Sequence, residues 1–290
     1  MNYWSLPISL AVVLVLVTLF YVRGWLRLRS ERPDTTSPWR IAAFGGGLLV
    51  LLIATGSPLA VLDHQLLSIH MVQHILLMSV APALLLLGAP VLTLAHGLPT
   101  RFVRGVAGFF LRWAPVRAVE RILFPPIFCW SIASATVVGW HVPALFELAA
   151  GSHAWHEIQQ ANFFVAGILF WWPVIRPWPS VSGRAGWSVP LYLFLATLPC
   201  DALSAFLAFA DRVVYRPYVV ASHFVGISPL EDQQWAGVLM WVCITFIYMV
   251  PAMIITVRIL SPAEARIPES GIIRPAVDMH PTAIADSSSG

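Results

Sequence analysis

His70 and His74 stand four residues apart in one apolar stretch, and His153 and His156 stand three apart at the start of another. On a helix, a four-residue spacing places both imidazoles on one face about 6 Å apart, which can give a metal ion two ligands. The HxxH pair is expected to present its rings on one face in the same way. Met78 continues the His70–His74 face one turn deeper, with Met71 beside it, and His141 follows Gly-Trp and precedes Val-Pro. Thiol and thioether ligands favour Cu(I), while imidazole accepts copper, iron or zinc. The combination favours copper.

These residues need elements that bring them together, and the composition says which kind. The chain has 290 residues, 58% of them hydrophobic and 11% charged, with a mean hydropathy of +0.78. A soluble domain carries about 25% charged residues. Apolar stretches of roughly 18 residues or more recur along the chain, each long enough to cross a ~30 Å hydrocarbon core. The expected fold is an all-α membrane protein, a bundle of seven transmembrane helices near residues 5–22, 41–57, 69–95, 122–141, 157–175, 188–209 and 235–259. Pro82 and Pro90 predict a kink, or an inner end near Gly88, in the third. The first apolar run lacks a basic lead and a cleavage site, so it reads as a retained span and not a cleaved signal. Residues 1–260 form the transmembrane domain, and 261–290, rich in Pro, Ser and Ala, read as a mobile cytoplasmic tail.

All seventeen basic residues are arginine, and their placement predicts the orientation. Fifteen fall in the 23–40, 96–121 and 176–184 connections and after the last span, with only Arg212 and Arg216 opposite. The positive-inside rule puts the N-terminus outside and the C-terminus in the cytoplasm. A pI near 9.0 arising this way points to the bilayer as partner and not to nucleic acid. The outer side then collects His64, His70, His74, His141, His153, His156 and His223, while His96 and His280 lie apart. Within that set, His64 and His223 read as loop residues.

Asp201 sits roughly 12 Å below the interface, eight residues from the outer end of the sixth span at 1.5 Å per residue. A carboxylate at that depth is costly and therefore a functional candidate. Cys200 precedes it, and Cys243, with Met240 one turn above, lies at similar depth in the seventh span. Three cysteines inside apolar segments offer no disulfide framework. Glu231 and Asp232 start the last span, where a helix N-terminus favours carboxylates. Tryptophans at the span edges form an aromatic belt.

Three blocks together resemble the polytopic CtaG family of cytochrome c oxidase assembly factors, which is distinct from the single-span copper chaperone of the same name. They are His70-Met-Val-Gln-His74 running into ILLMSVAPALLLLGAP; WHVPALFELA followed by a histidine pair and FWWP; and VVYRPYV followed by SPLEDQQWAGVLMW. They span residues 70–242 in matching order and spacing. The resemblance implies seven spans, a bacterial inner-membrane location, and maturation of a haem-copper oxidase at its copper centres. It also implies an oxidase subunit or another copper chaperone as partner. By position it singles out His70, His74, His141, His153, His156, Asp232 and Gln233. Many relatives have His-x-x-Glu-His where this chain reads His153-Ala-Trp-His156-Glu157, so the acid is shifted.

The favoured reading is therefore a non-enzymatic assembly factor binding copper at the outer face. His70, His74, His153 and His156 are the capturing residues, with Met78, Asp201 and Cys243 as a deeper or transfer site; His141 and Asp232 complete the candidate metal ligands. The alternatives are a di-iron desaturase or hydroxylase, although the HxxHH box is missing, a membrane cytochrome with two axial histidines, and a solute transporter.

Overall fold

The computed structural model describes residues 8–31, 36–99, 125–175, 186–221 and 226–261. Arg32, Arg101, Arg104, Arg112, Arg117, Arg121, Arg176, Arg184, Arg266, Arg274, His223, His280 and the tail beyond Ser261 lie outside the described residues. The elements are α1 (Ile8–Glu31), α2 (Pro38–Gly56), α3 (Leu59–Leu62) and α4 (Leu67–Ile75), a π-helical turn (Leu76–Val80), α5 (Ala81–Leu87), α6 (Pro90–Gly97), α7 (Pro126–Trp140), α8 (Pro143–Gly151), α9 (His153–Ile175), α10 (Ser188–Ala208), α11 (Pro217–Ala221) and α12 (Pro229–Leu260). No strand occurs among the described residues.

Six stretches are long and apolar enough to cross a bilayer: Ile8–Glu31, Pro38–Leu62, Leu67–Leu87, His153–Ile175, Ser188–Ala208 and Pro229–Leu260. The fourth expected span, 122–141, is realised as α7, whose 15 residues rise only about 22 Å. α8 follows it at a 73° bend, and the bent pair counts as a seventh span if taken together. The protein is thus a multi-pass α-helical membrane protein. Large side chains such as Leu19, Val165, Phe194, Phe206 and Phe246 face outward, as lipid-facing positions require.

Within the third expected span, 69–95, the membrane-length stretch ends at Leu87, beside the inner end expected near Gly88. Ala89 adopts φ 51°, and Pro90 restarts the chain as α6, since the residue before a proline is driven out of the α region. The Tyr21 hydroxyl donates to the Gly88 carbonyl at 2.7 Å, satisfying an acceptor that the break leaves free. Arg27 Nη1 donates to the His96 carbonyl at 3.1 Å. That bond joins the arginine-rich end of α1 to the end of α6, away from the other described histidines.

The main core lies between the α4–α5 stretch, α7, α9, α10 and α12, around Leu77, Phe163, Phe170, Leu193, Ala236 and Tyr248. Close helix approach depends on small residues. A Cβ at Gly167 of α9 would collide with the Met78 carbonyl in the π turn, and one at Gly237 of α12 would press on Ser204 and Ala208 of α10. The π turn therefore seats against α9 at the position that carries Met78.

Candidate metal centre

Asp63 follows α3 in a tight turn, its amide bonded to the Leu59 carbonyl at 2.9 Å. Its side chain is fully buried, yet no described residue donates a hydrogen bond to either carboxylate oxygen. What surrounds it is imidazole. His156 Nε2, from the first turns of α9, lies 3.3 Å from Oδ2, and His64 Nε2 lies 3.7 Å from Oδ1. Donor atoms of Asp63, His70 and His156 all fall within 4.8 Å of one another. Opposite ligands of one ion, at bonds of about 2.0–2.2 Å, lie at most ~4.4 Å apart, so a small side-chain rotation closes the set on an ion. A buried carboxylate without hydrogen bonds is costly unless a cation meets it. Nitrogen and oxygen donors of this kind suit copper, zinc or iron.

Three long-range contacts hold this geometry. The Tyr218 hydroxyl donates to the Asp63 carbonyl at 2.7 Å, fixing the turn. Asp232, at the start of α12, accepts from the Leu67 amide at 2.6 Å, the Ser68 amide at 3.2 Å and the Ser68 hydroxyl at 2.6 Å. It thereby caps α4, which has no cap of its own, and sets the helix that carries His70. Gln233 accepts from the Val214 amide at 2.7 Å and donates to the Arg212 carbonyl at 3.1 Å, tying down the loop that carries Tyr215 and Tyr218.

Deeper in the bundle, His74 Nε2 lies 2.6 Å from His70 Nε2, and the Nδ1 atoms of both rings are buried without a hydrogen-bond partner among the described residues. His141 Nδ1 bonds the Val137 carbonyl at 2.7 Å, and its Nε2 lies 3.3 Å from Met71 Sδ. The Tyr215 hydroxyl donates to the His141 carbonyl at 2.9 Å. Four of the five expected histidines, His70, His74, His141 and His156, are therefore buried together.

The rest of the expected set divides. His153 stands outside the cluster, its side chain 83% exposed and 3.7 Å from an exposed Glu157. A three-residue spacing leaves two side chains about 60° apart around a helix, enough at the rim of a bundle for one to face inward and the other solvent. Asp232 does not offer a free carboxylate; both oxygens are taken up capping α4. Met78 lines a cavity below His74. Asp201 is half-buried, with Oδ1 lacking a hydrogen-bond partner among the described residues, and Cys243 is half-buried at the edge of the core. Neither lines that cavity; Cys200 does. His64, read as a loop residue, joins the cluster instead, its ring 4.8 Å from that of His156. Sequence reasoning missed Asp63. The available signal was the one carboxylate of the 58–68 loop, directly before a histidine.

These features define a class, a multi-pass helical membrane protein with a buried acid–imidazole cluster at one end of its bundle. Within that class the chain belongs to the cytochrome c oxidase caa3 assembly factor family, Caa3_CtaG, whose profile matches residues 19–261, as the three sequence blocks indicate. Uncharacterized proteins of Mycobacterium bovis and Mycobacterium tuberculosis are each 26% identical over 250 residues, and one of Mycobacterium leprae is 24% identical over 251. Each alignment covers 82% of this chain and 36% of the relative, so the chain spans about a third of the length of these curated relatives. No solved structure matches it.

Proposed function

We propose that this protein captures copper at the Asp63–His70–His156 cluster, at the outer face of a bacterial inner membrane, and passes it toward a haem-copper oxidase under assembly. Asp63 carries the reading: a fully buried carboxylate, without a hydrogen bond from any described residue, that faces imidazoles on two sides. His64, His156 and Gln160 line one end of a groove of about 600 Å³ that also runs past α1 and α2, giving an ion a route to the cluster. Copper is here the cargo, and the recipient is an oxidase subunit or a second chaperone. A haem between two axial imidazoles needs a porphyrin-wide gap, whereas His74 packs on Phe163 at 4.0 Å between ring centres and against His70 at 4.2 Å.

The test is metal analysis of purified protein against the Asp63→Asn variant and the His70→Ala/His74→Ala double variant, with oxidase copper content measured in a strain lacking the gene. The expected result is about one bound copper lost in each variant and copper-poor oxidase in the deletion strain. Copper-free wild-type protein together with normal oxidase copper content overturns the reading.

A further inference from the structure

Below His74 the bundle encloses a small cavity of about 30 Å³, lined among others by Met71, His74, Met78, His141, Cys200 and Met240. A second cavity of about 10 Å³ adjoins it, with Met78 and Cys200 in both walls. Three of the chain's seven methionines thus converge on one space from α4, the π turn and α12. Methionine is ordinarily a flexible gap-filler. Here the gap remains beside three of them, and it is large enough for one water-sized occupant.

The protonation of His141 shows what the space is suited to hold. A backbone carbonyl only accepts, so the Nδ1···Val137 bond fixes the proton on Nδ1 and leaves Nε2 as a lone pair. That lone pair points at Met71 Sδ, 3.3 Å away, and a thioether has no proton to donate. Two buried acceptors therefore face each other at 3.3 Å. A soft cation satisfies both at once.

Charge decides which cation. None of the residues lining this cavity is acidic, and thioethers and neutral imidazoles cancel no charge. A dication would keep both positive charges uncompensated in a low-dielectric interior, while a monocation keeps one. We propose that this cavity is a second metal site selective for Cu(I), ligated by the thioethers of Met71, Met78 and Met240 with His141 Nε2. The Nε2 contact between His70 and His74 links it to the outer cluster. Cys200 lines the same wall. The π turn is integral to the site, since such turns recur where a helix must present side chains out of normal register.

This inference rests on capture at the outer cluster, but its test stands apart from that reading. The full-length protein is labelled with selenomethionine, loaded anaerobically with Cu(I) and measured by X-ray absorption at the copper edge. Copper–selenium scattering is expected without any mutation. Nitrogen and oxygen scattering alone, as from a cavity that holds only water, overturns the proposal. In competition titrations with a Cu(I) chelator, Met78→Leu/Met240→Leu is expected to lose one Cu(I) equivalent while Co(II) binding at the outer cluster persists, which also reports a folded protein. Full Cu(I) uptake by that variant overturns the inner site whatever the outer cluster does. Loss of Co(II) alone in Asp63→Asn, with Cu(I)–selenium scattering retained, supports two separate sites.

Discussion

Around Asp63 the donors are a carboxylate and imidazoles, supplied by a turn and two helix beginnings and open to a groove. One imidazole deeper, below His74, the donors are three thioethers from within helical turns and a lone-pair imidazole at the end of α7. The upper region carries a negative charge and nitrogen–oxygen ligands that accept divalent or monovalent ions. The lower region is neutral and soft. If both proposed sites hold metal, distance along the bundle axis would sort ions by charge and polarisability, with His70 and His74 in contact across the boundary. The difference also shows two kinds of support. The upper region is held by long-range hydrogen bonds, the lower one by helix packing across Gly167 and Gly237 together with the Tyr215–His141 bond.

The sharpest way to separate the two regions is Asp63→Asn, which keeps the shape and removes the charge. Divalent affinity at the upper cluster is expected to fall by at least about 100-fold, since loss of a ligand exceeds the 10–100-fold that supporting groups around a metal contribute, while Cu(I) uptake below is retained. Co(II) absorption titrations against Cu(I) competition read the two separately, and a parallel loss of both ions breaks the distinction.

Asp232→Ala is next, and it should erase the contrast instead of sharpening it. Removing the cap leaves the buried amide of Leu67 and the half-buried amide of Ser68 without an acceptor, a cost of about 1–3 kcal/mol. Since α4 and its π turn carry His70, Met71, His74 and Met78, both regions should weaken. Thermal unfolding in detergent, with both titrations, checks this; unchanged stability shows that α4 does not depend on the cap.

The tyrosine pair offers a finer division. Tyr218→Phe orphans the Asp63 carbonyl and Tyr215→Phe the His141 carbonyl, each worth about 1 kcal/mol. The first is expected to weaken divalent binding above, the second Cu(I) binding below. Equal effects of both variants on both ions show that the loop acts as one body.

His153→Ala is the smallest. An exposed residue in a 3.7 Å contact with exposed Glu157 contributes within about ±0.5 kcal/mol. Metal content and melting temperature should stay at wild-type values, and a lost equivalent returns His153 to the ligand set.

Helical spans and the His70–His74 pair were legible because apolar length and a four-residue spacing are one-dimensional signals. Asp63 was not, because a single acid in a loop has no period, and only the packing of α9 against the α4–α5 stretch turns it toward His70 and His156. Asp232 was legible as a helix-start carboxylate, but the helix it caps belongs to a segment 164–165 residues earlier. Cys243 and Cys200 were equally plausible by depth. The rotation of α10 and α12 placed Cys200 and Met240 on the cavity and left Cys243 off it.

By itself the sequence determined that the chain lies in a membrane, that its helices carry paired imidazoles, and which family it joins; hydropathy, spacing and motif order are properties of the linear chain. Tertiary structure alone decided which histidines share a space, which acid meets them and which sulfurs lie beneath. Those choices depend on helix rotation, a π turn and hydrogen bonds spanning up to 165 residues. A change in any of them moves a side chain from the interior to the lipid without altering the pattern from which the spans were read.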